Sequence, residues 1–219
     1  MATTAQSIVY EAQRALLDKE GVRATASDLV KLLNRAQRDI ALVRPDTTAA
    51  LSEFPLVAGS KQLLPTNAAV LIDIPANAGG TMRSISKVEL RLLDSQVRNW
   101  RSMPQKTEIV HFCHDLRNPR VFYVYPPAAS GAIVNLEASA YPVDIADPVA
   151  PGASHETVFG DITLADEWGT ALLMVTLYYA YMTDLEGINN PGIAAAYMQR
   201  AESILGIQLQ SSITAAKPE

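Results

Sequence analysis

Trp168-Gly169-Thr170-Ala171-Leu172-Leu173-Met174-Val175-Thr176-Leu177-Tyr178-Tyr179-Ala180-Tyr181-Met182-Thr183 is the most apolar window of the chain. At helical spacing it sets Trp168, Ala171, Leu172, Val175, Tyr178, Tyr179 and Met182 on one face, while Leu173, Met174, Leu177 and Tyr181 cover much of the other. A helix that is apolar nearly all round has to be enclosed, so the stretch predicts the centre of a helical bundle. It is shorter than the ~20 residues of a membrane span and is flanked by Asp166, Glu167 and Asp184, so no membrane partner is expected. Its aromatic and methionine side chains read as core. The surface left after packing, at Leu173, Leu177 and Tyr181, is expected to meet a second copy of the chain.

Elements able to wrap that helix lie at both ends of the sequence. Asn190 as cap and Pro191 at the first helical position start a last helix whose inward face is Ala194, Met198, Ala201 and Leu205. Near the start, Ser7 to Glu20 places Ile8, Ala12, Ala15 and Leu16 on one face and runs to Gly21, a residue suited to a left-handed helix end. Thr25 with Asp28 forms a capping-box pattern, followed by Leu29, Leu32, Leu33, Ala36, Ile40 and Val43 until Arg44 meets Pro45. The short link at Gly21 predicts that the two opening helices pack as antiparallel neighbours.

Between the two helical hairpins the pattern changes. Phe54 to Val57, Gln62 to Leu64 and Val70 to Ile74 read as extended segments, with a turn at Gly59 and Ser60 and another at Asn77, Gly79 and Gly80. Ser86 and Glu89 form a second capping-box pattern before Val88, Leu92 and Leu93, which predicts a short helix near 86–98. Thr107 to Phe112, Arg120 to Tyr125 and Ile133 to Ala140 are rich in Val, Ile, Tyr and Phe and predict an antiparallel meander. Residues 142–163, with Pro142, Pro148, Pro151 and Gly152, read as a long loop. The expected architecture is an α+β fold: a helical bundle from residues 1–48 and 164–209, an inserted β-rich region 49–163, and a mobile tail 210–219 without a periodic apolar face.

Composition narrows the function. The 219 residues suit one domain or two small ones, and 48% hydrophobic with 19% charged residues excludes global disorder. A formal net charge of −5 gives no overall field for nucleic acid. The single cysteine, Cys113, cannot close an intrachain disulfide, which suits a reducing compartment. The opening Met-Ala-Thr-Thr-Ala-Gln-Ser lacks a signal-peptide pattern, so export is not expected.

Reactive side chains concentrate at His111-Phe112-Cys113-His114-Asp115. Strand alternation puts His111 and Cys113 on one face and His114 on the other, so the segment alone cannot close a tetrahedral metal site. A small thiol or metal enzyme using His111, Cys113 and His114 is the minor reading, and a strand end the simpler one. Asp144 with Asp147, and Asp161 with Asp166, sit in or beside loops where carboxylates serve as turn formers and caps. There is no phosphate loop, dinucleotide fingerprint or nucleophile elbow. The one basic patch is Lys87, Arg91 and Arg98, sharing a stripe if the short helix reaches that far, with Asp94 on the same stripe.

The order of helical hairpin, strand-rich middle and closing helical hairpin resembles the head-to-tail adaptor proteins of tailed bacteriophages, including the gatekeeper-type adaptors of short-tailed phages. The pieces that carry the likeness are Asn34-Arg35-Ala36-Gln37-Arg38-Asp39-Ile40 running to Arg44-Pro45-Asp46, Val57-Ala58-Gly59 followed by Leu64-Pro65, Tyr123-Val124-Tyr125-Pro126-Pro127, and Asp166-Glu167-Trp168. The resemblance implies a non-enzymatic subunit without cofactor, made in the host cytoplasm and placed in the virion neck. It implies a homo-oligomeric ring, often dodecameric, below the portal protein, extending the DNA channel and docking a tail or nozzle protein. A neck or tail-completion protein is the near alternative. On this reading Gln208, Gln210, Ile213 and Lys217 bind the portal, and Lys87, Arg91 and Arg98 touch phage DNA transiently and without sequence preference.

Overall fold

A computed structural model describes residues 3–80, 82–115, 117–148, 154–183 and 187–206. The fold is α+β, with five α-helices and seven strands among the described residues. Backbone contacts divide the chain into two compact units, one made of residues 1–48 and 142–219 and the other of residues 49–141.

The first unit is helical. Helix α1 (Ala5–Ala15) starts two residues before the sequence pattern placed it. Thr4 caps it by accepting the Ser7 N–H at 3.2 Å, while the Ser7 hydroxyl accepts the Thr4 N–H at 3.1 Å. It ends five residues before the expected Glu20, because Leu17 turns to φ +54° and the Asp18 carboxylate gathers the N–H groups of Val22, Arg23 and Ala24 at 3.1, 2.8 and 2.8 Å. Gly21 sits at φ +64° beside Gln13, where a Cβ would come within 2.7 Å of the Gln13 amide nitrogen. Helix α2 (Ala26–Val43) begins under the Thr25 cap as its sequence indicates. Helix α4 (Gly169–Met182) lies at the centre, packed by α1, α2 and α5 (Pro191–Leu205). All four expected inward residues of α5 are buried, and Gly206 at φ +65° closes it.

Residues 142–163 belong to this helical unit and not to the inserted region. The cause lies in two amides on the buried side of α2. Asn34 makes a reciprocal pair with the Ile145 backbone at 2.9 Å each way, and Gln37 accepts the Thr163 N–H at 2.8 Å. These bonds draw Ile145 and Val158 into the helical core.

The second unit holds two sheets. One has the order β1-β7-β3, from β1 (Ala49–Pro55), β7 (Ile133–Ala140) and β3 (Ala68–Asn77), all antiparallel. The other has the order β2-β6-β5-β4, from β2 (Gly59–Leu63), β6 (Val121–Ala128), β5 (His111–His114) and β4 (Ser86–Lys87). A meander is therefore not what forms. β5 and β6 pair antiparallel, but the chain then crosses to the other sheet at β7, and β4 runs parallel to β5. Ile74, Leu136, Phe112 and Phe122 share one core drawn from both sheets.

The Ser86–Glu89 capping box does not form. Ser86 and Lys87 are the β4 strand, and α3 spans only Leu90–Gln96, with Glu89 as a cap that makes no side-chain bond. Ser86 and Lys87 pair with His111 and Phe112 of β5, with the Ser86 N–H donating to the Val110 carbonyl and the Val88 N–H to the Phe112 carbonyl, which leaves the helix to start later.

Candidate functional site

The His111–Asp115 cluster resolves into separate environments. Alternation along β5 puts Cys113 against Trp100 and Leu93, while Phe112 points into the core between the sheets. Cys113 is 1% exposed, and burial, with the Asp94 charge adding to it, pushes its thiol up to about 11. That is the reverse of an activated thiolate. The His111 ring stacks on Tyr125 with centroids 6.1 Å apart, and His114 Nε2 lies 3.0 Å from the Pro119 carbonyl. Asp115 is held by Arg117, whose bonds bring its carboxyl down to about 2. No group of three or more His, Cys, Asp or Glu side chains able to hold a metal ion occurs among the described residues.

The loop carboxylates are structural. Asp144 and Asp147 pair with Arg38 at 3.6 Å and Lys31 at 3.9 Å, and Asp166 accepts the Thr3 N–H at 2.8 Å.

The basic residues do not share a helical stripe. Lys87 lies on β4, Arg91 on α3, and Arg98 after the α3 terminus, because the helix stops at Gln96. All three are exposed. Asp94 faces the following turn, accepting from Trp100 Nε1 at 2.8 Å and Arg101 Nη1 at 2.7 Å, and the Arg101 guanidinium lies over the Trp100 ring at 4.5 Å. These contacts fix the turn 97–102, which carries Arg98.

On the helical unit, a shallow groove of about 430 Å³ runs between α1, α4 and α5, lined by Glu11, Arg14, Ala15, Leu173, Met174 and Tyr197 with Leu177 at its floor. Leu177 is 1% exposed and packs inside the subunit, whereas Leu173 and Tyr181 remain partly exposed. Tyr181 stacks on Tyr197 with centroids 5.7 Å apart, and burial raises its hydroxyl pKa. Glu11, Arg14 and Tyr197 escaped the sequence reading. The only signal for them was that the α4 faces exceeded what one partner helix covers.

Arg44, Asp46 and Trp168, far apart in sequence, meet in one cluster. The Arg44 guanidinium binds both Asp46 oxygens, at 2.8 and 2.5 Å, stacks over Trp168 at 4.8 Å and donates to the Leu205 carbonyl at the end of α5. This locks the ends of α2 and α5 together. A second cluster joins α2 to α4. Tyr179 donates to Asp39 under the Arg35 guanidinium, 4.2 Å above its ring, and burial followed by the Asp39 bond pushes the Tyr179 hydroxyl up to about 12.

Residues 3–217 match the SU10 adaptor protein family, and the chain belongs to that family, one of phage head-to-tail adaptors. The resemblance drawn from the sequence is borne out at that level. No curated protein matches the chain. No helix among the described residues is long and apolar enough to cross a membrane. The positions expected to bind the portal, Gln208, Gln210, Ile213 and Lys217, lie outside the described residues.

Proposed function

We propose that copies of this chain form a closed ring, dodecameric by analogy with similar adaptors, in the neck of the virion below the portal protein, extending the DNA channel and docking a tail or nozzle protein. The role is structural and involves no bond-making chemistry. The observation that carries it is the family match across residues 3–217, nearly the full chain. The groove of Glu11, Arg14, Leu173, Met174 and Tyr197 supports the ring, since it is a half-covered apolar surface with charges at its rim. A ring reuses one heterologous contact until rotation closes it, so the groove has to meet a different surface of the next copy.

Lys87, Arg91 and Arg98 supply weak, sequence-blind contact with DNA in this arrangement. None of the three is in an ion pair among the described residues. With a net charge of −5, such contact is local and steeply salt-sensitive.

The test is negative-stain imaging of the purified protein mixed with portal particles. An annulus added at one end of the portal is the expected result. Unchanged portal particles, together with sedimentation as a monomer at every concentration, would overturn the ring.

A further inference from the structure

Four strand edges border the two sheets, and three of them are defended. β2 carries Lys61 and a register shift between Gly59 and Lys61. β4 is two residues long. β3 has three register shifts, and its outer side bonds residues 83–85 through the Asn77 N–H to the Arg83 carbonyl and the Ile85 N–H to the Pro75 carbonyl. Bulges, short edges, lysines and covering segments are the usual means of keeping an edge from recruiting another strand. β1 uses almost none of them. Its seven residues pair with β7 in unbroken register from Ala49↔Ser139 to Pro55↔Ile133, and its outer edge has no strand partner among the described residues. The ladder fixes which backbone groups that edge presents. The Leu56 N–H donates to the Ala132 carbonyl at 2.8 Å, so by alternation the even-numbered residues of β1 bond β7 and the odd-numbered ones turn outward. The N–H groups of Ala49, Leu51 and Glu53 therefore point away from β7, and Pro55, which has no N–H, ends the row.

The two sides of β1 call for different side chains from anything that pairs with it. On the core side, Ala50, Ser52 and Phe54 stand opposite Ala138, Leu136 and Val134, which are buried, yet Ala50 and Ser52 are small and open to solvent. An added strand with large apolar residues at alternate positions extends the core past Phe54. The other side is acidic. Leu51 and Asp73 both stand opposite Glu137, and Glu53 lies two residues along β1 from Leu51, so three carboxylates share this side of the β1-β7-β3 sheet. None of the three is in an ion pair among the described residues, and β1, β7 and β3 carry no basic residue. Leu51 is 60% exposed and lies between Glu53 and Glu137. Glu137 is two strand spacings, about 10 Å, from a strand added beside β1, a gap that a lysine and a glutamate reaching toward each other can span.

We propose that the outer edge of β1 takes up an extended segment of a partner protein as a fourth strand, one in which large apolar residues alternate with lysine or arginine. Its main chain bonds the outward groups of Ala49, Leu51 and Glu53, and its apolar side chains cover Ala50 and Ser52. Its cations lay their aliphatic stems over Leu51 and bring their charges to Glu53 and Glu137. Charge selects such a partner over a second β1, because two copies paired edge to edge gather the glutamates of both on one side with no cation to meet them. The proposal rests on the adaptor reading only for the existence of a protein partner, and the ring is independent of it.

The experiment titrates the full-length protein into a fluorophore-labelled, end-capped peptide of alternating valine and lysine, matched to β1 at seven residues, and follows its anisotropy. Saturable binding that weakens with added salt is expected, together with slower hydrogen exchange across residues 49–55. Leu51→Pro should weaken binding about tenfold, because it removes an outward N–H and leaves the ladder with β7 untouched. Glu53→Lys should weaken it by about the same factor and flatten the salt dependence. Circular dichroism checks that both variants stay folded. No binding, indifference to either substitution, or equal binding of a valine–glutamate peptide or of the same residues in blocks overturns the proposal. So does oligomerisation that Leu51→Pro abolishes in a chain that ignores the peptide, which would make a second copy the occupant. Portal imaging of the parent chain separates the two readings: an annulus without peptide binding sinks strand addition alone, and peptide binding without an annulus sinks the ring alone.

Discussion

The helical unit and the sheet unit leave different kinds of surface unsatisfied. In the helical unit the core is rich in alanine, with Ala5, Ala12, Ala24, Ala26, Ala36, Ala171, Ala180 and Ala201 fully enclosed, so the helices approach α4 closely. Each helix closes its own backbone hydrogen bonds, and what remains for a partner is side-chain surface in the groove beside Leu173 and Met174. The sheet unit fills its core with Phe112, Phe122, Ile74, Ile109 and Leu136, and what it leaves open among the described residues is backbone, the outer edge of β1. A subunit can therefore offer two chemically distinct contacts, one by shape and one by hydrogen-bond register.

Large-to-small substitution should hurt the sheet unit most. Phe122→Ala removes a ring from the shared core, for an expected loss of about 3–5 kcal/mol in denaturant unfolding. The helical unit should be sensitive to added volume instead, so Ala36→Leu is expected to cost about 1–3 kcal/mol by overpacking. If Ala36→Leu were neutral while circular dichroism stayed native, the close-packed description of the bundle would fail.

The α1–α2 turn offers a sharper test. Asp18→Ala leaves the N–H groups of Val22, Arg23 and Ala24 without their acceptor, an expected loss of about 1–3 kcal/mol. Burial tends to raise the Asp18 pKa, but the three backbone N–H groups and Arg23 outweigh it and hold the carboxyl below its ordinary range. A depressed folded value means that the stabilisation is present above the unfolded pKa and is lost as pH falls through the folded one. Asp18→Ala should accordingly flatten the acid limb of stability between those two values, read from thermal melts across pH 2 to about 5.

Smaller effects are expected at the exposed pair Arg38–Asp144. Arg38→Ala should change stability by about 0.2–1 kcal/mol and less at high salt. At Cys113, Ellman's reagent at pH 7.5 should find no thiol in the native protein and one in denaturant. Rapid reaction in the native state would show that the packing by Trp100 and Leu93 is looser than described.

Much of the helical unit was legible in the sequence. The Thr25 and Asn190 caps, Pro191 at the first turn and the inward faces of α2 and α5 are local signals, set by residues within a few positions of one another. Strand existence was legible too, but not strand extent. β1 was placed at Phe54–Val57 and forms at Ala49–Pro55, because Ala49-Ala50-Leu51-Ser52-Glu53 has little intrinsic strand preference and is extended by its ladder with β7. β5 was likewise read at Thr107–Phe112 and forms at His111–His114, where β6 and β4 bracket it. The candidate surfaces were the least legible. The cation set was read as one helical stripe, and the groove residues Glu11, Arg14 and Tyr197 carry no pattern of their own.

By itself the sequence determined α2 and α5 with their caps and the excess of apolar side chains on α4, because these depend on spacing along one segment. Only the tertiary structure decided that Asn34 and Gln37 fasten Ile145 and Thr163 to the bundle, that Arg44 clamps Trp168 and the end of α5, and that β1 is an edge strand among the described residues. Those outcomes depend on which groups distant in sequence arrive within hydrogen-bond range of one another. A buried polar group takes whichever partner the fold delivers, and a strand is an edge only once its neighbours have been chosen.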